Sequence, residues 1–92
     1  MKNLDKLIKS MPKEKDIYGN VIAPTVFIGE NDHGKKRIML SAEEADSYHF
    51  ADYYGEFRGG YPWVNPALEQ WAKDRGLYWE WQNPAVLGLY EI

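Results

Sequence analysis

The chain of 92 residues is long enough for one hydrophobic core and too short for a second lobe that would enclose a deep active-site cleft. Its 45% hydrophobic and 27% charged residues are typical of a globular protein, and the absence of cysteine excludes disulfides, a zinc ribbon and a thiol nucleophile. The net charge of −3 is uneven: residues 38–92 carry nine acidic and three basic side chains, a balance of −6, which opposes attraction to nucleic-acid phosphates.

We expect a single domain, in which residues 1–16 form an amphipathic helix with a linker and residues 17–92 form a compact α+β core. Asn3 is a candidate helix cap, and Pro12 stops the helix. The linker continues as a charged stretch over residues 13–20. Two interpretations stay open, since the helix can pack on its own domain or dock elsewhere. Its apolar face has the spacing of successive helical turns: Leu4, Leu7, Ile8 and Met11.

The longest apolar run is too short to span a bilayer, and the first residues lack the apolar segment and cleavage site of a signal peptide. We therefore expect a cytoplasmic protein with no membrane contact.

Residues 21–28 are rich in β-branched side chains and predict a strand, which Pro24 restricts to a sheet edge or a bulge. Residues 29–34 reverse the chain, and residues 35–40 return as the second strand of a β-hairpin. An exposed edge, either at Pro24 or at the last strand over residues 86–92, would allow a homodimer.

Two helices are predicted after the hairpin. The first starts at a capping box over residues 41–44 and ends at the glycines of residues 59–60. The second starts with Asn65 as cap and Pro66 in the first turn, and it ends near Arg75. The buried stripe of the first helix has helical spacing: Phe50, Tyr53, Tyr54 and Phe57.

The alternation of apolar and polar residues from Leu77 predicts a strand, and residues 86–92 return as the last strand after a turn at Asn83. The predicted order is therefore α-β-β-α-α-β-β, with one antiparallel sheet and the helices packed on one face.

Residues 48–81 contain eleven aromatic side chains in thirty-four positions, a density that predicts a tightly folded C-terminal two thirds and is compatible with a binding face. Arg58, Tyr61 and Trp63 lie in the loop between the two predicted helices, and these residue types dominate binding hot spots. The alternative is that Tyr61 and Trp63 fold back over the core as a hydrophobic staple.

No catalytic or metal-binding constellation is predicted. The two histidines, His33 and His49, lack a third ligand, so we expect no metal and no cofactor. The acidic side chains of the first predicted helix are interpreted as its solvated face rather than an acid–base pair. They are Glu43, Glu44, Asp46, Asp52 and Glu56.

These features favour a non-enzymatic, acidic protein-binding module. Its expected contacts are those five carboxylates together with Arg58, Tyr61 and Trp63. The expected partner is a larger protein or nucleoprotein complex with a basic surface, without direct contact to nucleic acid. By size and charge alone, the chain is comparable with small inhibitors encoded by phages and mobile elements, the anti-CRISPR proteins among them. The alternative is a domain that binds a small molecule or carbohydrate on Trp63, Trp79 and Trp81.

Overall fold

The computed structural model describes residues 3–30, 33–55 and 60–92. Within them the chain forms two helices, one 3₁₀ turn and eight strands, so strands predominate. In chain order the elements are α1 (Leu4–Lys9), β1 (Glu14–Lys15), β2 (Val21–Ile22), β3 (Val26–Glu30), β4 (Lys36–Ser41), the 3₁₀ turn (Ser47–His49), β5 (Ala51–Asp52), β6 (Trp63–Val64), α2 (Pro66–Lys73), β7 (Leu77–Asn83) and β8 (Val86–Glu91).

The central element is a four-stranded antiparallel sheet in the order β3-β4-β8-β7. The two predicted hairpins, β3–β4 and β7–β8, are confirmed, as is the mixed α+β architecture with antiparallel strands. The prediction of one sheet is wrong, because β1–β2 and β5–β6 form two further ribbons. Strand β3, which follows Pro24, is an edge, whereas β8 lies between two strands and offers no edge.

Both helices contribute side chains to one hydrophobic core, which extends in sequence from Met11 to Leu89. The two middle strands alternate between this core and an outer face, so Ile38 and Leu40 are fully buried while Arg37 and Met39 are not. Each large buried side chain stabilises the fold by about 1.5–3 kcal/mol relative to its exposed state. Those that are completely buried are Phe50, Ile38, Leu40, Leu68, Leu87 and Leu89.

Helix α1 is confirmed in type and position. Its apolar face packs on the core, and Met11 just beyond it is buried. Asn3 has a left-handed backbone conformation and makes no side-chain cap bond, so the cap prediction is wrong. Neither α1 nor α2, the two helices of the described residues, is long and apolar enough to cross a membrane.

The segment after α1 contains structure that the sequence did not predict. The expected linker over residues 13–20 includes β1, which pairs with β2 in a short ribbon. The expected strand over residues 21–28 is therefore divided into β2 and β3, and Pro24 lies in the break between them. Proline has no amide hydrogen to donate, so it is typical of sheet edges and of breaks between strands such as this one.

The predicted helix over residues 41–57 is wrong within the part that the structure describes. Instead of a capping box, Ser41 Oγ accepts a hydrogen bond from the amide of Glu43 at 3.3 Å, and the chain forms only the 3₁₀ turn before β5. Phe50 and Ala51 are both buried, and Ala51 begins strand β5. Aromatic and polar residues with low helix propensity fill this segment, so tertiary packing decides its path. Phe57, the last residue of the predicted stripe, lies outside the described residues.

Helix α2 is confirmed, with Pro66 as its first residue and Gly76 in the left-handed conformation after its end. Asn65 Oδ1 accepts a hydrogen bond from the Ala67 amide at 2.8 Å, which caps the helix. The amide nitrogen of the same side chain donates to the His49 carbonyl at 2.9 Å. The Asn65 side chain therefore joins the start of α2 to the end of the 3₁₀ turn.

We predict that Asn65→Ala lowers the free energy of unfolding by about 2 kcal/mol, with about 1 kcal/mol from the lost cap and about 1 kcal/mol from the lost buried hydrogen bond. Urea denaturation followed by circular dichroism measures this change. Asn83→Ala is the matched control, because Asn83 Oδ1 also accepts an amide hydrogen bond two residues ahead but is exposed. Equal losses in the two variants would contradict the bridging role of Asn65.

Candidate functional site

An acidic cleft of about 470 Å³ lies where the loop after β4 meets β5 and the β7–β8 turn. The loop is held against that turn by the Ala42 amide, which donates to the Ala85 carbonyl at 2.7 Å. None of the described residues lining the cleft is Lys or Arg, whereas three are carboxylates. The lining is Ala42, Glu43, Glu44, Ala45, Tyr48, Ala51, Asp52, Tyr53, Tyr54, Pro84 and Ala85.

A group of four aromatic rings, which we call the tyrosine cluster, adjoins this cleft: Tyr53, Tyr54, Tyr61 and Trp81. Tyr53 is its centre, with edge-on contacts to Tyr54 and Tyr61, each at 5.2 Å between ring centroids, and to Trp81 at 5.1 Å. Tyr54 and Tyr61 lie 6.4 Å apart. Edge-to-face pairs at these distances are favourable beyond the area they bury, so the rings hold one another in place.

The cluster has a buried side and an exposed side. Trp81, on β7, packs against the hydrophobic core and supports Tyr53, which is half-buried. Tyr54 and Tyr61 are 61% and 64% exposed. The two rings are thus held by Tyr53 on one side and exposed to solvent on the other. Side chains that are already restrained lose little conformational entropy when a partner covers them.

The hydroxyl groups of Tyr53 and Tyr61 are hydrogen-bonded, and this bond raises the pKa of Tyr61 above its usual value of 10.0. The negative charge of ionised Tyr53 acts in the same direction. The protonated phenol is therefore the form that the folded cluster favours.

The structure brings together several of the residues predicted for the site. Glu43, Glu44 and Asp52 border the acidic cleft, and Tyr61 belongs to the adjoining cluster. Asp46 is exposed in the same loop but does not line the cleft. Glu56 and Arg58 lie outside the described residues.

Trp63 is half-buried and pairs across the β5–β6 ribbon with Asp52. The alternative that Tyr61 folds back over the core is wrong, since most of its surface faces solvent. The three tryptophans expected to form a ligand platform enter different contacts: Trp79 stacks on Trp71 at 6.2 Å and donates to the Leu68 carbonyl, whereas Trp81 supports the tyrosine cluster.

Tyr53 and Tyr54 were not among the predicted site residues, and Trp81 was expected at a site only in the alternative of a ligand platform. The two tyrosines were assigned to the buried stripe of a helix and Trp81 to a strand face. The available signal was Gly55, which follows the tyrosine pair directly and disfavours a helix through it. The meeting of residues 53, 61 and 81 is a long-range contact that no local pattern encodes.

A second exposed apolar surface lies at the tip of the β1–β2 ribbon, where Ile17 and Tyr18 are 91% and 83% exposed. The Asp16 carboxylate accepts hydrogen bonds from the Tyr18 amide at 2.9 Å and from the Asn20 amide and side chain at 2.8 and 3.1 Å. The bond from the Asn20 amide is the main reason that the pKa of Asp16 lies below 3.8. The tip is therefore a fixed turn, formed where the Tyr-Gly-Asn sequence of residues 18–20 is typical of turns.

A basic cleft of about 620 Å³ separates α1 from the β3–β4 hairpin and is bordered by Lys6, Lys9 and Lys36. Asp5 also lines this cleft, so its charged side chains are three lysines and one carboxylate. In the described ranges, no group of three His, Asp or Glu side chains is arranged to hold a metal ion.

The chain matches no protein-family model, no curated protein and no solved structure at a significant level. Its function must be argued from the acidic cleft and the tyrosine cluster.

We predict that Tyr61 titrates above pH 10.0 in the folded protein and that Tyr53→Phe lowers its pKa toward 10.0, because the variant removes the hydrogen bond. Tyrosinate absorbance during an alkaline titration measures this, with Tyr78→Phe as a control outside the cluster. Because the pKa of Tyr61 is higher in the folded than in the unfolded chain, protonated Tyr61 stabilises the folded state fully below pH 10.0. This contribution to the free energy of unfolding is lost as the pH rises through the pKa of Tyr61 in the folded protein. An unchanged Tyr61 titration in Tyr53→Phe would contradict the bond.

Proposed function

We propose that this protein is a non-enzymatic, acidic binding module that occupies a basic surface on a larger protein or nucleoprotein complex. The contact surface is the acidic cleft together with the tyrosine cluster. By size and charge, the proposal includes an inhibitor of a host complex, of the kind that phages and mobile elements encode and of which anti-CRISPR proteins are one class. The proposal includes a location in the cytoplasm. The absence of cysteine is compatible with it, because the fold needs no disulfide and therefore no oxidising environment.

The observation that carries the proposal is the exposure of Tyr54 and Tyr61 on a fixed support. At least 60% of the surface of each of these side chains stays exposed, so folding of the chain buries little of their apolar area. Coverage by a partner would bury that area and contribute favourable free energy to binding. Because Tyr53 and Trp81 already restrain the two rings, covering them costs little conformational entropy. Tyrosine is one of the residue types that dominate hot spots, each of which contributes about 2 kcal/mol or more.

The carboxylates set the chemistry of the partner. Glu43 and Glu44 are exposed at the cleft, and Asp52 lies at its wall. Asp46 and Glu56 add negative charge in the same part of the sequence, and Arg58 lies three residues before Tyr61. Lys or Arg side chains on a partner would be attracted and oriented by this surface, whereas phosphates would be repelled, so direct contact with nucleic acid is not part of the proposal.

The proposal also takes α1 and α2 to cover the core side of the sheet, as the sequence predicted, so that neither helix approaches the tyrosine cluster. The 1–92 chain then acts as one domain.

A second candidate is the binding of a small molecule or carbohydrate. The observation in its favour is the size of the acidic cleft, about 470 Å³, which falls within the range of about 300–1,000 Å³ typical of ligand sites. Tyr53 and Tyr54 would stack on a sugar ring, and Glu43 and Glu44 would accept hydrogen bonds from its hydroxyls. Trp81 lies beside Tyr53 and would report such a ligand by its fluorescence.

We expect Tyr54→Ala/Tyr61→Ala and Glu43→Lys/Glu44→Lys each to weaken partner binding at least about tenfold, which corresponds to a loss of about 1.4 kcal/mol or more. The tagged chain first captures its partner from lysate of the native host or of infected cells. Isothermal titration calorimetry with the purified partner then gives the dissociation constants, and thermal melting confirms that each variant folds.

Two matched controls keep the test specific. Tyr18→Ala/Tyr78→Ala removes two exposed tyrosines outside the cluster, and Glu69→Lys/Glu80→Lys makes the same charge change on exposed positions of α2 and β7. Unchanged affinity in the site variants, or equal losses in the controls, would refute the proposed surface. Tryptophan fluorescence titrated with a panel of mono- and disaccharides tests the second candidate, which a shift abolished by Tyr54→Ala would support.

A further inference from the structure

Strand β3 presents a straight, unprotected edge of the four-stranded sheet. The Ser41 amide donates to the Thr25 carbonyl at 2.8 Å, and bonded pairs alternate along an antiparallel ladder. The backbone groups of Phe27 and Gly29 therefore face β4, while those of Val26, Ile28 and Glu30 point away from the sheet. Among the described residues, no strand pairs with this side of β3.

Two large apolar side chains on this edge are exposed, and the one charged residue of the strand is Glu30 at its end. Phe27 is 46% exposed on the outer face of the sheet, and Ile28 is 43% exposed on the opposite face. The strand contains no Pro or Lys, and its five pairs with β4 follow one another without a bulge. Natural edge strands are usually blocked by such features, because an open edge accepts another strand. At the other edge of the sheet, β7 has a register irregularity between Trp81 and Asn83.

We propose that β3 pairs with β3 of a second copy of this chain, antiparallel and about a two-fold axis at Ile28. The two sheets then form one continuous sheet of eight strands. This association is independent of the acidic cleft and the tyrosine cluster, since none of the residues of β3 lines or contacts either of them.

The register of this pairing is self-complementary. With Ile28 opposite Ile28 of the second copy, Val26 lies opposite Glu30 of the second copy, and the reverse pair follows by symmetry. All three positions are those whose backbone groups point outward, so each pair can exchange two hydrogen bonds. The two Glu30 carboxylates lie at opposite ends of the paired strands, and like charges are not placed face to face.

The outer face fits the same register. Phe27 falls opposite Gly29 of the second copy, where the absence of a Cβ leaves room for an aromatic ring. Beside Gly29 lies a cleft of about 260 Å³, bordered by Arg37, Met39 and Tyr90 among others. Met39 already leans across Gly29, with its Cγ 2.8 Å from the position of a Cβ there, and its flexible side chain can adapt to an incoming ring. Each Phe27 would then be covered by the partner copy.

Charge opposes the pairing and predicts its salt dependence. Ile28 borders the basic cleft, whose charged side chains are Lys6, Lys9, Lys36 and Asp5, so the two-fold axis brings two surfaces of net positive charge toward one another. Raising the ionic strength from about 0.1 M to about 1 M shortens the Debye length from about 10 Å to about 3 Å and screens this repulsion. Self-association should therefore strengthen with salt, whereas binding of a basic partner to the acidic cleft should weaken.

Sedimentation equilibrium over a range of protein concentrations tests the proposal. We expect the average mass of the wild-type chain to rise from 10.7 kDa toward twice that value as concentration increases, with a lower midpoint at high salt. Ile28→Lys should stay monomeric, because a lysine at the centre of the edge blocks strand pairing. Val21→Lys, at another exposed apolar position, should associate like the wild type. Thermal melting establishes that both variants fold.

A cross-linking experiment tests the register separately. The chain has no cysteine, so Ile28→Cys introduces a single thiol that faces its own copy across the two-fold axis, at a spacing within disulfide reach. We expect it to form a disulfide dimer at least tenfold faster than Ile17→Cys, although Ile17 is 91% exposed.

A wild-type chain that stays at 10.7 kDa at the highest soluble concentration would overturn the proposal. So would a dimer that Ile28→Lys leaves intact, or cross-linking no faster at residue 28 than at residue 17. Each of these outcomes leaves the partner-binding proposal untouched, because its variants lie outside β3.

Discussion

The hydrogen bonds of Asn65 hold the part of the molecule on which the candidate site depends. Its side-chain oxygen caps α2, its side-chain nitrogen binds the His49 carbonyl, and its own amide donates to the Phe50 carbonyl at 2.8 Å. The residue is 8% exposed, so these bonds are shielded from competition with water. One asparagine thus fixes the position of the irregular segment over residues 47–52 relative to a regular helix. Regular strand pairing in this segment is limited to the two-residue ribbon with β6, so the Asn65 bonds add to the core packing of Phe50 and Ala51 in holding its path.

From this connection the geometry of the site follows in two steps. The buried Phe50 and Ala51 continue the packing that Asn65 starts, and the chain then leaves the core at Tyr53 and Tyr54. There the rings meet Trp81 from β7, a strand that belongs to the rigid sheet. The exposed tyrosines are therefore held both by the Asn65 connection and by the sheet. The proposed contact surface consists of loop residues, but a helix and a sheet fix their positions in this way.

How well the sequence predicted each element depended on whether its determinants are local. Helix α2 was predicted because Asn65, Pro66 and Gly76 set the start and end of the helix through their own backbone conformations and local hydrogen bonds. The β7–β8 hairpin was predicted because apolar and polar residues alternate with a period of two. The helix over residues 41–57 failed because a capping box and an aromatic stripe are weak local preferences, which the burial of Phe50 and the Asn65 bonds overrode. Charge and composition pointed to Glu43, Glu44, Asp52 and Tyr61, which the structure places at the acidic cleft or in the adjoining tyrosine cluster. The convergence of Tyr53, Tyr54 and Trp81 required the tertiary structure, because nearly thirty residues separate the first from the last.

The two proposed surfaces have opposite electrostatic character, and this gives their combination a physical consequence. In these two proposals the acidic cleft would attract a basic partner and the lysines beside Ile28 would oppose a second copy. One change in ionic strength would then shift the two equilibria in opposite directions. Pairing through β3 would give each dimer two acidic clefts and two tyrosine clusters. A target that carries two basic sites at a matching separation would then be held by both, and the second contact would form at high effective concentration. Binding of the dimer at two sites would shift the monomer–dimer equilibrium toward the dimer by mass action. The target itself would thereby stabilise the pairing of two five-residue edges, which is weak on its own.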